Sequence, residues 1–242
     1  MNLIIDQGNS FAKIAVFDND SLISIIQAEE LQESLLETLL HQYSIKRGIL
    51  SSVKDIDERL VEYLHSKISD FSVLSHETSL PFEIAYKTPA TLGRDRIAAI
   101  AGAFSIHPNR NCLVIDAGTA VTYDFINDKG VYVGGNIAPG IDLRFRSLHQ
   151  FTGKLPLVSG EGDVPFLGYD TQTAIRAGII RGLTYEIEGY ISEIQDSYPD
   201  LLIFLTGGSG KYFEDRLKYP IFADNNIVLK GLNSIIEYNA KL

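Results

Sequence analysis

Two stretches of this chain can be laid over each other without a gap, and that duplication limits the folds open to it. Near the N-terminus the sequence reads LIIDQGNSFAKIAVFDNDSLIS, and from Leu113 it reads LVIDAGTAVTYDFINDKGVYVG. Asp6 falls on Asp116, Gly8 on Gly118, and Asp18 and Asn19 on Asp128 and Lys129. Each copy has a short apolar strand ending in Asp-x-Gly, a second strand, a polar turn and a returning third strand. Gly and Asn or Asp at the bends suit hairpins. The first copy is followed by a helical pattern over 31–40, a strand over 48–53 and a helix over 56–68. The second is followed by a long helix over 171–197 and then a short apolar strand, LLIFL, ending in TGGSG. Antiparallel strands followed by alternating helices and strands predict an α/β fold with a mixed sheet flanked by helices. Two such units predict two similar domains, 1–110 and 111–242, with a cleft between them, where ligands commonly bind. An ordinary hairpin accounts for either Asp-x-Gly turn alone. The shared strand lengths and turn positions argue against coincidence.

The two turns carry the first chemistry. In Asp6-Gln7-Gly8-Asn9-Ser10, Gly8 removes the side chain that would block a phosphate chain from the backbone. Asn9 and Ser10 can donate to phosphate oxygens, Lys13 can reach one as a point charge, and Asp6 can orient water on a divalent ion. The matching turn, Asp116-Ala117-Gly118-Thr119, adds a second carboxylate and a hydroxyl donor. The glycines of Thr206-Gly207-Gly208-Ser209-Gly210 let a flat ligand such as adenosine lie against the backbone. This segment is not a P-loop, because Leu205 stands where the first glycine belongs and Tyr212 follows Lys211. Between the two turns lies Gly93-Arg94-Asp95-Arg96, leading into a small-residue helix over 97–104. Two readings are open there. Asp95 caps the helix or forms a salt-bridged surface turn, or it accepts the proton of a substrate hydroxyl while Arg96 holds an anionic group.

Composition narrows the partners. A net charge of −10 argues against nucleic acid, whose binding rests on Lys and Arg. No apolar run reaches the ~18 residues of a membrane span, and MNLIIDQGNS reads as a strand entering a turn rather than a leader. A cytoplasmic location is expected. The single cysteine, Cys112, adjoins an apolar run and reads as a core residue. No histidine pair has metal-ligand spacing. Arg144, Arg146, His149 and Lys154 read as a solvated helix face or a subunit contact.

Taken together, these motifs resemble type III pantothenate kinases over nearly the whole chain. DQGNS is similar to the first phosphate motif of that family, LGRDR to its substrate motif and VIDAGTAVTYD to its second phosphate motif. GGNIAPG, the KLP near Leu155, GYDTQTAIRAGIIRG and LTGG follow in the family's order. The resemblance implies two ribonuclease-H-like domains of the actin-like ATPase type. It implies transfer of the ATP γ-phosphate to the terminal hydroxyl of pantothenate, the first step toward coenzyme A. By motif match, Asp95 is the general base, and Tyr86, Gly93, Arg94, Arg96 and Thr171 contact pantothenate. Asp6, Gln7, Gly8, Asn9, Ser10, Phe11, Ala12 and Lys13, with Thr119, Gly207 and Gly208, bind ATP. Asp116 holds a monovalent cation, potassium or ammonium, and Mg²⁺ comes with the nucleotide beside Asp6. A homodimer is implied, its interface helping to build the substrate site. Gln7 and Ser10 depart from the pattern, which usually has an aliphatic residue and Thr there. The paired turns would equally serve a kinase or phosphatase acting on a sugar, acetate or polyphosphate. A non-catalytic nucleotide-binding regulator is the reading from another class. Intact Asp6, Asp95, Arg96 and Asp116 speak against it.

Overall fold

The computed structural model describes all 242 residues. In chain order the elements are β1 (Asn2–Gln7), β2 (Ala12–Asp18), β3 (Ser21–Ala28), α1 (Glu33–Gln42), β4 (Arg47–Ser52), α2 (Glu58–Lys67), β5 (Asp70–Val73), β6 (Glu83–Ile84), α3 (Arg94–Ile106), β7 (Cys112–Ala117), β8 (Ala120–Ile126), β9 (Val131–Pro139), α4 (Ile141–Gln150), α5 (Thr171–Ser197), β10 (Leu202–Thr206), β11 (Phe222–Ala223) and α6 (Ile227–Asn239). One sheet has the order β3-β2-β1-β4-β5 and the other β11-β10-β7-β8-β9-β6. With β6 set aside, the second order is the first with β7, β8, β9, β10 and β11 in place of β1, β2, β3, β4 and β5. The duplication in sequence is thus a duplication of topology. In both, the Asp-x-Gly strand is central, with a parallel neighbour on one side: β1 with β4, and β7 with β10.

The chain forms two compact units. The first is Met1–Asn109 with Ile126–Gly134 and Asn226–Leu242, and the second is Arg110–Phe125 with Gly135–Asn225. A single cut near residue 110 therefore misses two returns to the first unit: the turn after β8 and the C-terminal helix.

In the first unit, β1 lies at the centre of its sheet and Asn2 to Ile5 are buried, so both of its faces are covered. Leu3 and Ile5 face Leu36 and Leu39 of α1 and Leu60 and Leu64 of α2. On the other face Asn2 donates to Asn233 Oδ1 at 2.9 Å and Glu237 Oε1 at 2.7 Å, both on α6. Arg47 completes this polar pin with a 3.0 Å ion pair to Glu237. Helix α6 packs in turn on α3.

In the second unit, α5 supplies Ile175, Ile179, Ile180, Leu183, Ile187 and Ile191 to a core with Leu113, Ile115 and Ala117 of β7. That spacing is one face of a 3.6-residue period. Asp170 caps the helix, accepting the Thr173 N–H at 2.7 Å, while the Thr173 hydroxyl oxygen accepts the Asp170 N–H at 3.1 Å. The Thr173 N–H, together with the Thr173 hydroxyl that donates to Asp170 Oδ1 at 2.8 Å, holds the Asp170 carboxyl below its usual range. Arg144 departs from the expected solvated face. Its Nε donates to Pro139 O at 2.7 Å and its Nη2 to Glu186 Oε2 at 2.8 Å, fastening α4 to α5. Cys112 is fully buried, and burial pushes its thiol up to about 11.

Candidate functional site

The first Asp-x-Gly turn closes the β1–β2 hairpin. The Gly8 N–H donates to Phe11 O at 3.0 Å, and a Cβ on Gly8 would lie 3.2 Å from that same oxygen. Asn9, Ser10 and Phe11 are exposed at the tip. Asp6 is the penultimate residue of β1, with Lys13 beside it on β2 and Ser51 beside it on β4. Neighbours in register share a face, so carboxylate, ammonium and hydroxyl stand in one row across the sheet.

The 93–96 motif forms the first turn of α3. Gly93 is the N-cap, and no side chain caps this end. The capping reading of Asp95 is thereby corrected: its Oδ1 accepts the N–H of Arg96 at 2.9 Å, within the first turn. A Cβ at residue 93 would come 2.5 Å from that oxygen. Glycine leaves room for the Asp95 carboxylate to fold back over it. The acidic group also sits where the helix dipole favours negative charge. Arg96 is buried to 5% exposure, with its guanidinium 5.9 Å from the centre of the Tyr86 ring. Tyr86 follows β6, whose pairing with the start of β9 fixes its place. Tyr86 and Arg96 are thus brought together although 10 positions separate them. Arg94 turns elsewhere, donating from Nη1 to Ser52 O at the end of β4, 3.2 Å away.

The second Asp-x-Gly turn is tighter. The Gly118 N–H donates to Ala120 O at 3.0 Å, leaving Thr119 exposed at the bend. Two glycines pack against it. Gly140, just before α4, donates to Thr119 O at 3.1 Å, and a Cβ there would overlap the backbone of the turn. Gly207 has φ of +92°, and a Cβ there would lie 2.5 Å from the carbonyl carbon of Ala117 and overlap Asp116 Oδ1. Ser209 donates its N–H to Ala117 O at 2.9 Å. The TGGSG loop therefore touches the second Asp-x-Gly turn, and Gly208 stays exposed beside it.

Thr171 opens α5 and is exposed. The loop before it is held by arginines of that helix. Arg176 donates to Ser159 O at 3.1 Å and Asp163 O at 3.2 Å, and Arg181 to Pro165 O at 2.8 Å. Sequence reasoning missed Ser51 and Ser52. Their only signal is position, since two small polar residues end a strand parallel to β1.

Neither unit gathers three carboxylate, His or Cys side chains into a metal-binding group. Mg²⁺ that comes with a nucleotide needs only one or two protein carboxylates, with waters and the ligand's own phosphates supplying the rest. Asp6 and Asp116, each half-buried at a strand end beside a glycine turn, suit such sparse ligation.

Solved structures set the fold among actin-like ATPases and sugar kinases. A Listeria monocytogenes protein proposed to be an N-acetylmannosamine kinase superposes with a TM-score of 0.59 at 14% identity, over 99% of both chains. The Clostridium difficile activator of 2-hydroxyisocaproyl-CoA dehydratase, with bound ADPNP, gives 0.56 at 10% identity over 99% of this chain and 95% of that one. The particular family comes from sequence. The model of type III pantothenate kinases matches residues 2–193. Type III pantothenate kinases of Phocaeicola vulgatus and Bacteroides fragilis (strain YCH46) are 50% and 47% identical to this chain. They cover 100% and 99% of it, and it covers 100% and 98% of them. The chain belongs to the type III pantothenate kinase family.

Proposed function

We propose that this chain transfers the γ-phosphate of ATP to the terminal hydroxyl of pantothenate, giving 4'-phosphopantothenate and ADP, the first step of coenzyme A synthesis. Family membership over the full chain supports the reaction. The carboxylate of Asp95, half-buried over Gly93 at the start of α3, supports the mechanism. Asp95 accepts the hydroxyl proton as that oxygen bonds to the γ-phosphorus and the bond from phosphorus to the β,γ-bridging oxygen breaks. Arg96, beside the Tyr86 ring, holds the pantothenate carboxylate, and Gly93 and Thr171 complete the acceptor site, with Arg94 tying the motif to Ser52 O. Residues 6–13, with Thr119, Gly207 and Gly208, bind the nucleotide. Most of the work is positioning and charge stabilisation, since phosphoryl transfer asks the protein for little covalent chemistry. Mg²⁺, accompanying ATP near Asp6, supplies neutralisation of phosphate charge. A potassium or ammonium ion at Asp116 supplies a further fixed positive charge.

The test is ADP release by the purified protein with Mg-ATP and pantothenate, with and without potassium. Release that needs both pantothenate and potassium is expected. Release with a sugar or acetate but not pantothenate would move the chain to another acceptor class of the same fold.

The same reading makes the protein a cytoplasmic homodimer whose interface borders the acceptor site. Phe151, Phe166, Leu167 and Tyr169 are 70–80% exposed, and all lie on or near the loop that leads into Thr171. Large apolar side chains grouped in this way mark an interaction surface. Light scattering is expected to give about twice the 26.8 kDa chain mass. A mass near 27 kDa at working concentration would remove the dimer.

A further inference from the structure

The nucleotide turn and the acceptor motif are joined inside the first unit by a short hydrogen-bonded bridge. Gln7 follows Asp6, and its side chain lies on the face of β1 that carries Leu3 and Ile5. An amide is out of keeping with that apolar face unless it is satisfied. The Ser52 hydroxyl reaches it, sharing its one proton between Gln7 Oε1 at 3.0 Å and Lys54 O at 2.9 Å, while its oxygen accepts the Lys54 N–H at 3.0 Å. The backbones run together past the sheet, since the Val53 N–H donates to Gln7 O at 3.1 Å. From the other side Arg94 Nη1 donates to Ser52 O at 3.2 Å. Ser52 is 2% exposed, so these bonds are sheltered from water.

We infer that Ser52 is a positioning residue. It clamps the side chain of Gln7 and gives its carbonyl to Arg94, so that the first turn of α3, and Asp95 with it, is held at a fixed distance from the phosphate turn. Arg94 then acts through the scaffold, leaving Arg96 as the cation turned to the acceptor's anionic group. The choice of a positive residue at 94 has a direct reason. A long guanidinium reaches a carbonyl at the end of β4, four elements back in the chain, and hydrogen bonds from charged donors are about twice as strong as neutral ones.

The inference rests on the acceptor reading given above for the role of the motif, but the bridge itself can be tested without it. Ser52→Ala and Gln7→Leu are made in the full chain, singly and together. Hydrogen exchange of the backbone amides at 93–97 is expected to quicken several-fold in both single variants, with α6 unchanged. Ser52→Ala also loosens the Lys54 turn, whereas Gln7→Leu breaks only the Gln7 arm, so a response in both assigns the effect to the bridge. The double variant is expected to go no further than the worse single one, as for members of one network. In steady-state assays Ser52→Ala is expected to raise the pantothenate KM about fivefold, what the loss of one hydrogen bond amounts to, with the ATP KM within about twofold. Unchanged exchange at 93–97 in both variants overturns the bridge. An ATP KM that rises in step with the pantothenate KM overturns the assignment to the acceptor side. If the parent protein ignores pantothenate, the proposed function falls while the exchange result still decides the bridge.

Discussion

Replacing Asp95 with Asn is expected to lower turnover by on the order of 10³-fold, within the range typical of a lost general base, while nucleotide affinity stays near that of the parent. The two side chains have the same shape. Asn can still present an oxygen to the Arg96 N–H, now 2.9 Å from Asp95 Oδ1, and still lie over Gly93, so the first turn of α3 keeps its geometry. What is lost is the ability to take a proton from the acceptor hydroxyl. The loss belongs in kcat, and calorimetric titration with a non-hydrolysable ATP analogue should show binding intact. A variant that turns over within tenfold of the parent would remove Asp95 from the base role. Asp95→Glu is informative beside it. It restores the basic group, but its extra methylene cannot fold back over Gly93 in the same way, so partial recovery is expected.

The features that were legible in the sequence are those set by local pattern. The repeated hairpin, with Asp6 over Asp116, gave both sheets their central strands because period-2 alternation and turn residues are read within about twenty positions. Helix α5 is readable over 171–197 because its apolar face, from Ile175 to Ile194, repeats at helical spacing for more than five turns. The small-residue pattern marks α3 over 97–104 with Asp95 and Arg96 at its start, and the helix runs from Arg94 to Ile106, its first residue unmarked because an N-cap glycine without a side-chain bond leaves no start signal. Other features depend on distant contacts. Nothing near β6 announces a two-residue strand, since its partner is Val131 and Tyr132 of β9. The meeting of Tyr86 and Arg96 follows from that pairing. The membership of α6 in the first unit depends on Asn2, Arg47 and α3, more than a hundred residues away. Among the candidate residues, Gly93 was recognised as part of a motif, but its reason was not. It makes room for the Asp95 carboxylate, and that is a fact of three dimensions.

The position of α3, and so of the acceptor motif, depends on a glycine that no sequence pattern marks. Gly231, in the middle of α6, meets α3 so closely that a Cβ would overlap the carbonyl oxygen of Ala98 and lie 2.6 Å from the backbone N of Gly102. Gly102 answers from α3, where a Cβ would overlap Ile227 O and come 2.7 Å from the Ile227 side chain. Both obstacles are backbone, which cannot rotate away as a side chain can. Gly231→Ala must therefore push the helices apart, although alanine is the better helix former by about 1 kcal/mol. Overpacking of this kind costs about 3 kcal/mol at the upper end of its usual range. For a chain of this size that corresponds to a fall in Tm of roughly 6–12 °C. The contrast is Gly189→Ala on the exposed face of α5, where nothing lies within 4 Å of the added methyl. There the propensity gain acts alone, and stability should rise by about 0.5–1 kcal/mol. Thermal melts of the two variants side by side check both signs. Because α6 carries no proposed ligand contact, a Gly231→Ala protein that is still folded at low temperature should also show weakened pantothenate binding. The motif at the start of α3 moves with the helix. Unaltered stability in Gly231→Ala would mean that the two helices can separate freely, and the packing account of α3's placement would have to be abandoned.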